Sequence, residues 1–276
     1  MFRLETLGAC FVKGRDGGLV PFRSRKHFAL LVYLGYTAPR AHRRERLVGL
    51  LWPEDTDARA RHSLSQALYA LRQALGDDVL AVRGEELQWG PAAPGLDVAE
   101  FEAHIRAGRW ERAVELYRGE FLEGFWVRNA RPFEEWMDRE RARLGAEYRQ
   151  ALRALIRRAS ERGDWATVLD AGRRLVHVEP YDEHAHADVM RALWIAGDRA
   201  GALRQYEILR DTLARELETE PGVEIRELAA RIRRRAAEAE RKEDERKAEP
   251  ATSEPPFLGR AEEYSQLVAL WEEVKT

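Results

Sequence analysis

Two nearly matching phrases, Gly163-Asp164-Trp165-Ala166 and Gly197-Asp198-Arg199-Ala200, lie 34 residues apart and constrain the fold of this 276-residue chain more than any other feature. The match continues into the helices that follow, where Leu169 corresponds to Leu203 and Leu175 to Leu209. A fixed period of this length marks a unit of paired helices that cannot bury its apolar face alone and must stack on a neighbour. Glycine suits the tight turn, and the small alanines let paired helices approach closely. Gly108-Arg109-Trp110-Glu111-Arg112-Ala113 repeats the same turn in an earlier, more divergent pair. The apolar spacing predicts helices over 98–107, 110–119, 132–162, 165–178, 183–196, 199–217 and 225–240. The 34-residue spacing is that of tetratricopeptide repeats, which implies a packing or protein-binding scaffold.

The first 90 residues follow another plan. Phe2, Leu4 and Leu7, then Cys10-Phe11-Val12, then Leu19 to Phe22 read as short extended runs, with a turn at Arg15-Asp16-Gly17-Gly18. Helices are predicted over 24–36 and 43–51, the second stopped by Trp52-Pro53, and a third over 57–75. A hairpin follows, with 79–83 and 87–89 flanking Gly84-Glu85-Glu86. Residues 91–95 read as a short linker.

The third helix separates into two stripes. Leu64, Leu68, Leu71 and Leu75 recur at three- and four-residue steps and form a core face. Rotated away from them stand Arg61, His62, Ser65, Gln66, Tyr69 and Arg72, with no carboxylate among them. A solvated helix face ordinarily mixes acids and bases for i,i+4 pairing. A face that enters the major groove needs donors for base edges and phosphates, and a carboxylate there is repelled. Two basic clusters flank this helix: Arg23, Arg25 and Lys26 at the first helix, and Arg40, Arg43, Arg44 and Arg46 around the second. Taken together they suit phosphate contacts; taken singly, each also suits a solubilising surface. Arg83 at the hairpin tip is a further candidate, opposed by its neighbours Glu85 and Glu86. The net charge of −2 conceals a split: residues 1–75 hold 13 lysines and arginines against 6 acids, and residues 97–276 hold 32 against 38. A basic head on an acidic body fits a nucleic-acid module joined to a protein-binding one.

Several function classes find no support. No phosphate-binding glycine loop, zinc-binding motif or isolated acid–base pair occurs, so the chain is expected to be a non-enzyme without a cofactor or a metal. His177, His184 and His186 are expected to be surface residues beside a repeat turn, because helical i,i+2 positions point to different faces. The scattered tryptophans are expected to be packing anchors. The single cysteine, Cys10, fits a reducing compartment. No apolar run approaches the ~18 residues of a signal or membrane segment, so a soluble, cytoplasmic protein with no membrane partner is expected.

The segments SRKHFALLVYL (24–34), RERLVGLLWP (44–53) and SLSQALYALRQALG (63–76) resemble the OmpR-type winged helix. Residues 177–232, from HVEPYDEHAHADV to IRELAARI, resemble the bacterial transcriptional activator domain. The pairing is similar to that of antibiotic-regulatory-protein-type transcription factors. The resemblance implies a mainly α fold: a winged helix-turn-helix (α+β) over 1–95, then an all-α tetratricopeptide-like domain over 96–240. It also implies a sequence-specific regulator, an activator, whose third helix lies in the major groove and whose wing touches the minor groove. Self-association on double-stranded DNA and contact with RNA polymerase are further implications. Arg61, His62, Ser65, Gln66, Tyr69 and Arg72 fall where that family places its DNA contacts. Two departures stand out: Glu86-Leu87-Gln88-Trp89 replaces the usual Gly-Tyr-x-Leu wing ending, and Tyr69 or Ala70 stands at an often basic recognition position. After a charged, proline-containing linker over 241–256, PPFLGRAEEYSQL (255–267) resembles the opening of the ATPase module of larger relatives. Residues 257–276 thus read as the start of a truncated module that does not bind ATP. The alternative is a tetratricopeptide adaptor whose winged helix binds protein.

Overall fold

The computed structural model describes residues 2–248 and 261–273. The chain is mainly helical, with a small α+β head and a helical-repeat body. In the head, β1 (Arg3–Glu5), β2 (Phe11–Lys13) and β3 (Leu19–Val20) form an antiparallel meander. The helices are α1 (Arg25–Tyr36), α2 (Arg44–Leu51) and α3 (Asp57–Leu75), as the periodicity predicts. Ser24 caps α1 by accepting from the Lys26 amide. The hairpin of β5 (Leu80–Arg83) and β6 (Glu86–Trp89) is joined by a short strand, β4 (His42–Arg43), which pairs with β6. Three helices and a hairpin wing thus form a winged helix-turn-helix. Leu64, Ala67, Leu68, Leu71 and Leu75 bury the inner face of α3.

Residues 91–95 differ from the expected linker. Ala93 is buried, and β7 (Gly95–Leu96) lies parallel to β1, with Leu4 opposite Leu96. The open edge of β1 thereby gains a partner. Asp97 is buried immediately after it and accepts hydrogen bonds from the amides of Thr6 (2.7 Å) and Leu7 (2.8 Å) and from the Thr6 hydroxyl (2.6 Å).

The body comprises α4 (Asp97–Arg106), α5 (Trp110–Leu116), α6 (Arg131–Glu161), α7 (Trp165–Val178), α8 (Glu183–Ile195), α9 (Arg199–Leu217) and α10 (Val223–Ala248). Adjacent helices in this series pack in sequence, α5 and α6 included despite the longer connection between them. The turns after α4, α6 and α8 each place a glycine at positive φ: Gly108 (65°), Gly163 (70°) and Gly197 (87°). A side chain there is strained, which explains why the sequence repeats glycine at these points. Asp164 and Asp198 then cap α7 and α9 through the amides of Thr167 and Gly201.

Three differences from the sequence reading concern the body. Helix α5 stops at Leu116, short of 119, because residues 117–130 leave the helix to reach the head, where Phe121 bridges Leu7. Helix α10 continues to Ala248, past the expected linker start at 241, and 249–260 lie outside the described residues. Part of the expected further module forms α11 (Ala261–Glu273). His186 is buried rather than at the surface, with Nε2 at 3.1 Å from the Pro180 carbonyl and Nδ1 at 2.8 Å from Gln205 Nε2. Burial holds its pKa below the usual histidine range.

Head and body share one buried cluster running from Leu4 to Ala192; a second, from Ala187 to Ile232, closes the far end of the body. The join is aromatic. Trp136 on α6 meets Tyr33 (5.0 Å) and Tyr36 (5.2 Å) of α1 edge-on, and Phe28 meets Phe125 at 5.4 Å. Beside it Tyr36 donates to Glu140 and accepts from Arg143, which also pairs with Glu102.

Candidate nucleic-acid interface

Helix α3 exposes Arg61, His62, Ser65, Gln66 and Tyr69 in one strip, while Arg72, one turn further, is half-buried. Past Asp57 in its first turn no carboxylate stands on the helix. Some donor capacity is already engaged within the strip. The Ser65 hydroxyl donates to the Arg61 carbonyl at 3.0 Å, and Gln66 Nε2 lies 3.0 Å from His62 Nε2. That link fixes the two side chains relative to one another, since i,i+4 neighbours meet on a helix. Tyr69 is 67% exposed, unusual for a large aromatic ring. A groove of about 760 Å³ runs between this strip and the segment before α1, walled by Phe22, Arg23 and His27 opposite Gln66, Tyr69 and Gln73. Phe22, His27 and Gln73 were not singled out from the sequence; His27 sits two positions after Arg25, and only the packing of α1 beside α3 reveals its place. Burial holds the His27 pKa below the usual range, which favours its neutral form.

The wing arginines stand among acids. Arg43 lies opposite Glu86 across β4 and β6, and Arg83 lies opposite the same Glu86 across β5 and β6. One carboxylate thus sits between two guanidiniums in a single cross-strand row. Arg44 Nε is 4.0 Å from Glu85, and the Arg44 amide donates to the Glu85 carbonyl at 2.9 Å. Arg43 and Arg83 are exposed, whereas Arg44 is half-buried.

Arg25 and Lys26 face the body. The Arg25 guanidinium stacks 4.6 Å over the Trp126 ring and donates to the Trp126 carbonyl at 3.2 Å. Lys26 Nζ lies over the Trp52 ring and donates to the Asn129 carbonyl at 3.3 Å; burial lowers its pKa. Trp126 itself is 54% exposed, unlike the expected packing anchors, whereas Trp52 and Trp136 are buried. The α3 strip is therefore one surface, the wing row another, and Arg25 with Lys26 a junction.

Among the described residues no cluster of three or more His, Cys, Asp or Glu is placed to hold a metal, and no helix is long and apolar enough to cross a membrane. Cys10 is half-buried and unpaired with another cysteine, its thiol pushed up to about 11 by burial.

No curated protein matches this chain. The structure of Mycobacterium tuberculosis EmbR in complex with a low affinity phosphopeptide is similar in fold, with a TM-score of 0.58 and 24% sequence identity. The likeness covers 85% of this chain and 65% of that one, so the chain spans about two thirds of the length of EmbR. The family described as bacterial transcriptional activator domain matches residues 96–233. That match takes in the body from the start of α4 into α10, half of the chain, and the protein belongs to the bacterial transcriptional activator domain family.

Proposed function

We propose that this chain is a sequence-specific DNA-binding transcriptional regulator, an activator, with an OmpR-type winged helix over residues 1–95. The observation that carries the reading is the exposed, carboxylate-free strip of α3 from Arg61 to Tyr69. In the major groove this strip presents a guanidinium, an imidazole, an amide and a phenol to base edges, with Arg72 at its end. Arg43, Arg44 and Arg83 contribute weaker, sequence-blind phosphate contacts, because Glu85 and Glu86 offset part of their charge. Arg25 and Lys26 reach a phosphate only by releasing the carbonyls of Trp126 and Asn129. Self-association along repeated sites and contact with RNA polymerase through the body belong to the same reading, as does residence in the cytoplasm without a cofactor.

Selection of genomic fragments on the full chain at two salt concentrations tests it. A short repeated site is expected to enrich. Gln66→Ala then weakens that site by roughly 1–3 kcal/mol and leaves random duplex unaffected, whereas Arg43→Ala weakens both alike. Salt-erased retention with no sequence preference would overturn the sequence-reading role and favour the adaptor alternative.

A further inference from the structure

A broad concavity on the body lies away from the head's α3 strip. It measures about 1040 Å³ and opens between the segment after α5, the middle of α6 and the outer face of α7. Its floor is Tyr117 stacked on Tyr148, with ring centroids 4.1 Å apart and planes within 12°. Gly145 leaves a gap beside them: a Cβ there would lie 3.2 Å from Arg149 Nη1 and 3.7 Å from the Tyr117 hydroxyl. Burial pushes both phenols up, Tyr117 to about 12, so they remain protonated.

Five arginines and four carboxylates line the space, and their pairing decides its character. Arg174 is held by Asp170 at 3.0 Å, Arg141 by Asp138 at 3.3 Å, and Arg149 by Glu179 at 2.8 Å, a carboxylate outside the lining. Arg118 and Arg173 make no ion pair among the described residues, nor do Glu120 and Glu123. The charges that remain are distributed unevenly. Arg173 and His177 stand one turn apart on the α7 wall, beside Arg174, while Glu120 and Glu123 stand on the opposite lip with Arg118. A cavity of this size that offers the unpaired Arg173 guanidinium on one wall and the unpaired carboxylates of Glu120 and Glu123 on the other suits a small ligand with an anionic head and a donor-rich tail.

We infer that this concavity binds a phosphorylated polyol of the sugar-phosphate class, its phosphoryl group against the unpaired Arg173, with Arg174 joining only by exchanging Asp170 for the phosphoryl oxygens, and its hydroxyls towards Glu120 and Glu123. The site makes the body a ligand-responsive element, and it stands apart from the DNA reading of the head.

Calorimetric titration of the full chain with glucose 6-phosphate, inorganic phosphate and glucose tests the inference. Glucose 6-phosphate is expected to bind one site per chain at least tenfold more tightly than inorganic phosphate, and glucose alone to give no signal. Arg173→Ala weakens both phosphorylated probes at least tenfold, whereas Glu120→Ala weakens only the sugar phosphate. Both residues are exposed, so far-ultraviolet circular dichroism of the variants is expected to match the parent. Absence of binding by either phosphorylated probe at millimolar concentration overturns the inference, and so does unchanged affinity in Arg173→Ala. Loss of DNA retention in Arg173→Ala without phosphate binding overturns it too and assigns the concavity to a nucleic-acid track.

Discussion

Asp97 shows how one side chain holds two parts of the chain together. It opens α4, yet its carboxylate takes up the amides of Thr6 and Leu7 and the Thr6 hydroxyl at the end of β1. Burial nevertheless raises its pKa, because desolvation outweighs these donors. Removing the acceptor orphans two buried amides, so Asp97→Ala is expected to lose about 3 kcal/mol, read as a shifted denaturant midpoint. An unchanged midpoint would mean that water replaces the carboxylate. In sequence Asp97 is one acid among many, and nothing local announces a partner 90 residues away. The α3 strip, by contrast, was legible because both of its stripes lie within one helix. His186 was misread for the converse reason. Its own helix suggests exposure, but Gln205 on α9 and the Pro180 carbonyl enclose it.

At the scale of elements, local signals carried most of the information. Helices α1, α3, α7 and α9 begin and end within a residue of their predicted bounds, since caps and apolar spacing are local properties. The repeat turns follow the same logic and make a testable contrast. Gly197→Ala forces a side chain into left-handed backbone at φ 87° and is expected to lower stability by about 1 kcal/mol. Gly49 sits within α2 with open space around it, so Gly49→Ala is expected to raise stability by about 0.5–1 kcal/mol. Melting temperatures of the two variants should move in opposite directions; movement together would refute the backbone argument. Strand β7 was not foreseen because Pro91 to Gly95 has linker composition, and only the edge of β1 gives it a sheet to join.

Across the whole molecule, head and body meet through aromatic rings that no periodicity links. The tryptophans read as packing anchors, but that Trp136 of α6 meets Tyr33 and Tyr36 of α1 depends on how whole elements pack. Because one buried cluster crosses the join, the head and the adjoining α4–α7 body are expected to unfold in a single transition. Trp136→Ala is expected to lower its midpoint by about 3–5 kcal/mol of stability, with tryptophan fluorescence and circular dichroism remaining coincident. Two separated transitions would show that the rings touch without coupling. The segment between α5 and α6 has a consequence of its own. Residues 118–123 form the lip of the concavity, and three and six residues further on Trp126 and Asn129 hold Arg25 and Lys26 at the foot of α1. The stretch between them is pinned, not slack: Arg141 on α6 donates to the carbonyls of Phe121 (2.7 Å) and Phe125 (3.2 Å), and the Leu122 amide donates to the Thr6 carbonyl (2.8 Å), so the rim of the concavity and the foot of α1 hang from the same fixed points.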